Sequence, residues 1–232
     1  MLEINCWVNK MTNTLAIFED RKEELELYYS IMLDIDSDDP QIHTINNARF
    51  FKILKSNFLL MLYNLVESCV VSGIMEIYEK LRNENCTYSQ VIDEIKNIWV
   101  TYQISQVYTP TTNLTTYENR VKRIIANITE TQPIVLTKEA CKISGNLDSK
   151  QIKSLCDKHR IRYTAIDDEG ALRTVKNKRN SLSHGDVSFS DCARDLTLSD
   201  LNAIKEAVLA FMDGILTGMK NYYNNNGYKN PV

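Results

Sequence analysis

Between Thr12 and Leu33 apolar side chains return every three or four positions, at Leu15, Phe18, Leu25, Tyr29 and Met32, with Lys22 in the same register. Glu19, Asp20, Glu23 and Glu26 line the opposite side. A period of about 3.6 predicts an amphipathic helix with an acidic outer face, ended by the run DIDSDDP. The next run is denser. From Ile45 to Asn83, the residues Phe51, Leu54, Phe58, Met61, Leu65 and Cys69 keep helical spacing around the nearly unbroken apolar centre FLLMLYNLVESCVVSGIM. Asn64, Glu67, Ser68 and Ser72 interrupt that centre, and a bilayer interior tolerates such groups poorly without partners. The stretch therefore predicts the core helix of a soluble bundle, and no membrane partner. Val91, Ile95, Ile98 and Tyr102 share one face of a third helix from Tyr88 to Tyr102. Thr116 to Glu130 predicts a fourth, after the Thr/Asn-rich loop TPTTNLTT.

The pattern changes between Thr131 and Ile166. PIVLT has the residue types of a short strand, SGN those of a turn, and LDSKQIKSLCDKHRI predicts a short helix with Ile152, Leu155 and Cys156 inward. This segment, 131–166, is expected to be an insertion or small subdomain of a single domain spanning 1–232. The carboxylates of DDEG suit the amino end of a further helix that reaches Ser183 or His184, with Gly185 as its terminator. Thr197 and Asp200 have the spacing of a capping box opening the last helix. Its inward stripe is Leu201, Ile204, Val208, Phe211, Ile215, Met219 and Tyr222. The polar tail NNNGYKNPV is expected to fray. No internal repeat interrupts this all-α reading.

Composition agrees with it: 44% of residues are hydrophobic and 25% charged, and only 7 Gly and 4 Pro are present, too few breakers for a many-turned β-fold. A formal charge of −3 supplies no general attraction for nucleic acid or an anionic membrane, so any such site must be a local cluster. The six cysteines are scattered and read as reduced thiols. The amino terminus lacks a secretory pattern, and a cytoplasmic location is expected. There is no P-loop, dinucleotide fingerprint or GxSxG, which leaves ATP hydrolysis and serine-hydrolase chemistry without support.

A local basic cluster does exist. Arg173, Lys176, Lys178 and Arg179 fall within seven residues, after Lys158, Arg160 and Arg162. A charge run alone is commonly a solvated helix face. The string RNSLSHGD, which opens on Arg179, adds a histidine, the side chain whose proton affinity suits transfer near neutral pH. Five positions along a helix amount to a rotation of roughly 140°, so Arg179 and His184 do not share a face, whereas Asn180 and His184 do. Either His184 sits where the helix unwinds before Gly185, or a two-fold axis brings in the arginine and histidine of a second copy, which points to a dimer. Asn180 would orient the imidazole, contact phosphate, or cap the helix end. Asn64 and Glu67, one turn apart on the apolar helix, need partners if buried. Arg179 or His184 would serve, or Glu67 would pair with a structural base. Tyr63 beside them reads as core.

Two further readings compete. Cys156 and His159, with Cys141 upstream, offer three zinc ligands, but no fourth is well spaced and Cys156 lies on an apolar face; no metal or other cofactor is expected. His43 follows an acidic loop and reads as exposed. The stretch TKEACKISGNLDSKQIKSLCDKHRIRY also has the form of a helix-turn-helix, with Gly145 at the turn and Lys153 and Lys158 on a helix that would read DNA.

The fuller string Arg-Asn-x-Leu-x-His-Gly-Asp-x-Ser-Phe, from Arg179 through Phe189 and on to Arg194-Asp195 and LTLSDL, resembles the Arg-x4-His motif of a prokaryotic subgroup of the HEPN superfamily (higher eukaryotes and prokaryotes nucleotide-binding). Ser183 stands where that motif more often has alanine. The resemblance extends less sharply to LLMLYNLVES, and 131–166 lies outside the common helical core. It implies a HEPN-like helical bundle, usually a two-fold homodimer, acting as a metal-independent endoribonuclease. A toxin or phage-defence effector is the usual setting, with an antitoxin or defence-system protein as partner. RNA carries its own nucleophile, the 2′-hydroxyl, so the protein need only move protons and stabilise charge on the phosphate. His184 would act as general base or acid and Arg179 would hold the phosphate, with Asn180, Glu67 and Asn64 in support. Arg173, Lys176 and Lys178 would contact RNA. The alternative is a HEPN module that binds RNA, nucleotide or a partner without catalysis.

Overall fold

The apolar run that dominates the sequence becomes the axis of the fold. The computed structural model describes residues 11–36, 47–106, 113–141, 143, 145–164 and 169–231. Cys6, His43, residues 109–112 of the TPTTNLTT loop, and Asp167 and Asp168 of the DDEG run lie outside the described residues. Helix α1 runs Asn13–Asp36 and α2 Asn47–Asn83, followed by α3 Asp93–Ser105, α4 Leu114–Thr129, α5 Lys138–Cys141 and α6 Ser149–Lys158. Helices α7 Glu169–His184, α8 Phe189–Cys192 and α9 Leu198–Asn224 complete the order. The all-α architecture is as the periodicity predicts.

Helix α2 packs against α1, α7, α8 and α9. Phe58, Leu62, Leu65, Cys69 and Ile74 are all fully buried along it. By length and composition residues 48–83 would also suit a membrane span, but 56% of the most apolar window is already buried inside the protein, as in a core helix. Register between α1 and α2 is set by a carboxylate. Glu76 of α2 accepts the backbone N–H groups of Asn13 at 3.1 Å and Thr14 at 2.9 Å, which satisfies otherwise orphaned donors and places negative charge at the helix amino end. The acidic face of α1 is not wholly solvated, since Glu26 takes both of its 2.7 Å contacts from Lys205 of α9, whose side chain is only 4% exposed.

Three sequence expectations change. PIVLT alternates as a strand would, with Ile134 and Leu136 buried and Val135 exposed, yet no strand occurs among the described residues. The segment makes one bridge, Thr87 to Pro133, and the facing chain turns into a 3-10 helix at Tyr88–Gln90, so no ladder can propagate. The third helix begins at Asp93 instead of Tyr88, because Val91 and Ile92 are extended and bind the tail: the Ile92 amide donates to Tyr228 O at 3.0 Å. The tail is correspondingly not frayed. Tyr228 is fully buried, its hydroxyl donates to Glu84 at 2.7 Å, and the Asn230 amide donates to Gln90 O at 2.9 Å. The buried Tyr228 ring and the backbone bonds on either side of it order the polar run.

The apolar side chains of 131–166 enter the same core as α2 and α9, among them Ile134, Leu147, Ile152, Leu155 and Ile161. His159 ends α6 inside this core. Its Nδ1 donates to Leu155 O at 2.7 Å, the only role open to a carbonyl partner, and its Nε2 accepts from the Tyr78 hydroxyl at 2.7 Å. Both nitrogens are thereby used within the core, and no group of three His, Cys, Asp or Glu residues among those described is placed to hold a metal.

Candidate active site

Helix α7 carries the motif and ends where the glycine allows. Gly185 adopts φ +74°, its amide donates to Leu182 O at 3.2 Å and the Asp186 amide donates to Ser181 O at 2.9 Å, the paired bonds of a Schellman C-cap. His184 is thus the last residue of α7, exposed, and its ring makes no hydrogen bond among the described residues. Gly185→Ala is expected to lower stability by about 1 kcal/mol, because an L-residue in the left-handed region is strained. Urea denaturation of both proteins checks this.

The rest of the motif holds the helix end in place. Ser188 precedes α8 and its hydroxyl donates to Asp191 at 2.6 Å, while Phe189 O accepts from Ser56 of α2 at 2.6 Å. Buried Lys55, one residue earlier on α2, donates to Arg194 O at 3.2 Å and to Leu196 O. The string after His184 therefore belongs to the scaffold.

Arg179 lies one and a half turns before His184 and is anchored on three sides. Its guanidinium carbon sits 4.5 Å from the centre of the Tyr63 ring, Nη1 donates to Asn180 Oδ1 at 3.0 Å, and Nη2 is 3.8 Å from Glu67 Oε2. At that last distance the carboxylate acts by charge and not by a hydrogen bond. The arginine side chain remains 27% exposed and keeps donors for an anion. Tyr63 is fully buried, and its hydroxyl donates to Gly145 O at 2.7 Å while accepting the Leu147 amide at 3.0 Å. Burial, with Glu67 adding to it, raises the Tyr63 phenol above its ordinary value against the opposing Leu147 amide and Arg179 charge. It stays a neutral donor.

The structure thus brings Arg179, Asn180 and Glu67 together and leaves His184 apart from them. Asn180 faces Arg179 and does not orient the imidazole. Asn64 is exposed, so the need for a buried partner does not arise. The residue on the α7-facing side is Tyr63, four positions before Glu67 rather than three. That i,i+4 spacing was the available signal for it. Gly145 had no such signal: its position beside the guanidinium, where an added Cβ would lie 3.4 Å from Nη2, is purely tertiary.

Of the basic residues before the motif, Arg173 is exposed, Lys176 pairs with Asp148 at 2.6 Å and Lys178 donates to Cys192 O. Asp148 is also the N-cap of α6, accepting from the Gln151 amide at 2.9 Å. Partial burial opposes its charge, but Lys176 and the capping amides outweigh that and hold its carboxyl below the usual range.

An all-helical bundle whose central apolar helix cradles the arginine of an Arg-x4-His-Gly helix end has the form of a HEPN domain. A model of the MAE_28990-like HEPN family matches residues 11–228, and the chain belongs to that family. No curated protein and no solved structure matches the chain.

Proposed function

We propose that the protein is a metal-independent endoribonuclease, acting in the cytoplasm as a homodimer in the manner of a toxin or phage-defence effector held by a partner protein. The observation that carries this reading is the Arg179 guanidinium, fixed on Tyr63 and Asn180 yet still open to an anion. A scissile phosphate bound there would gain charge as the 2′-hydroxyl attacks, and a preorganised cationic fork favours that charge more than the ground state. The 2′-O–P bond forms as the P–O5′ bond breaks, giving a 2′,3′-cyclic phosphate and a free 5′-hydroxyl. His184 takes the proton from the 2′-hydroxyl or delivers one to the leaving oxygen. Because His184 points from the helix end and shares no contact with Arg179, a two-fold partner whose α7 lies alongside would complete the set with its own motif.

One observation favours a second reading. Glu67 stands beside Arg179 and partly offsets its charge, as would suit a module that binds RNA or nucleotide weakly and does no chemistry. Incubating the purified protein with RNA in EDTA separates the two. Cleavage by wild type, lost in His184→Ala and Arg179→Ala, supports the ribonuclease. Equal integrity or equal degradation of RNA with all three proteins removes the assignment.

A further inference from the structure

The turn that reaches Arg179 also opens a groove. Asp148 fixes the start of α6, and from that register Ile152, Leu155 and Cys156 point inward while Lys150, Ser154 and Lys158 recur every four residues on one outer stripe. The stripe forms one wall of a groove of about 410 Å³, and Ile143 and Leu147 contribute to the other. Lys150 and Lys158 are exposed and form no ion pair among the described residues. Asp148, the carboxylate of the lining, is already neutralised by Lys176.

The groove and the Arg179 site share a wall. Leu147 lines the groove and binds the Tyr63 hydroxyl, Gly145 two residues earlier lies against Arg179 and Glu67, and Lys176 sits three residues before Arg179 on α7. Beyond Lys158 a second cavity of about 400 Å³ continues between α3 and α6, where Asn97 and Thr101 offer amide and hydroxyl groups. Two lysines about 12 Å apart along a helix, facing an apolar wall and leading away from a phosphate-holding arginine, have the make-up of a single-strand track. A helix-turn-helix reader is a poorer fit, since α5 is only four residues long and α6 borders a concavity instead of projecting from the surface.

We propose that this groove binds the stretch of single-stranded RNA that flanks the scissile phosphate, Lys150 and Lys158 contacting its backbone and the partly exposed Ile143 its bases. The inference rests on the ribonuclease reading, but its test does not require catalysis. Binding of a labelled single-stranded RNA of about 12 nucleotides to the full-length protein is followed by fluorescence anisotropy, in the His184→Ala background if wild type cleaves. Lys150→Glu/Lys158→Glu is expected to weaken binding roughly tenfold or more and to reduce the salt slope by about 0.7 per lost phosphate contact. Lys150→Gln/Lys158→Gln should show the same direction without charge reversal. With His184 intact, the double variants should raise KM on the long RNA at unchanged kcat and leave cleavage of a dinucleotide unaltered. Unchanged affinity, a loss equal on long and short RNA, or tighter binding of duplex DNA than of RNA would overturn the groove. Cleavage with unaltered binding leaves the ribonuclease standing without it, whereas RNA binding lost in the variants of a protein that never cleaves leaves the groove standing without the ribonuclease.

Discussion

Arg179→Lys is expected to reduce kcat for RNA cleavage about as severely as Arg179→Ala, by roughly 100-fold or more, with the helical content unchanged. The reason lies in the cradle. The guanidinium sits over the Tyr63 ring, spends one N–H on Asn180, and still presents donors at fixed angles to a phosphate. An ammonium keeps the charge but neither stacks in this way nor offers a planar fork, so it cannot meet two phosphate oxygens while remaining anchored. Single-turnover cleavage of RNA by the three proteins, alongside their circular dichroism, measures the effect. Tyr63→Phe separates the two jobs of that tyrosine: the ring beneath Arg179 is retained, while the tie to Gly145 and Leu147 is lost. A lysine variant that cleaves at the wild-type rate would show that charge alone suffices and that the cradle plays no part in catalysis.

The second large effect concerns stability and acid. Burial holds the His159 imidazole down, from an ordinary 6.5 to about 4, the Leu155 carbonyl only partly opposing it. Between those two values the unfolded chain binds a proton that the native protein refuses, so stability falls as pH falls. The contribution is fully present above pH 6.5 and is lost progressively toward pH 4. The loss by pH 5 is on the order of 2 kcal/mol, at about 1.4 kcal/mol per pH unit. Urea midpoints at pH 8 and pH 5 give the slope, and other titrating groups are removed by comparison with His159→Gln. That variant is expected to be less stable at pH 8, because the hydrogen bond from Tyr78 is perturbed, but to lose less on acidification. An equal loss in both proteins would assign the acid sensitivity elsewhere.

Much of the fold was legible because its main instruction is periodic. The stripes of α2 and α9, the capping box at Thr197 and the stop at Gly185 are local, and local rules predict them. Legibility failed where a distant segment intervened. Nothing near Tyr228 says that Glu84 and Ile92 wait for it, and nothing near Val91 says that the chain there is held extended by the tail. At the candidate site, Arg179, His184 and Glu67 could be named from residue type and spacing. Of the two α2 residues that the sequence offers to Arg179, Glu67 lies beside it and Asn64 faces solvent, a choice that an apolar context does not reveal.

The sequence by itself determined an all-α bundle around one apolar helix and a histidine placed at the end of α7. Its motif also carries the family resemblance. Helix period, caps and glycine conformation depend on neighbours within a turn or two, and so these features are written in order along the chain. Only the tertiary structure decided that Arg179 rests on Tyr63 and that Gly145 closes against it. It likewise decided that Lys176 is committed to Asp148 while Lys150 and Lys158 stay free of ion pairs among the described residues. These choices depend on which side chains of distant segments meet, and on the cost of leaving a charge or a phenol without a partner once they do.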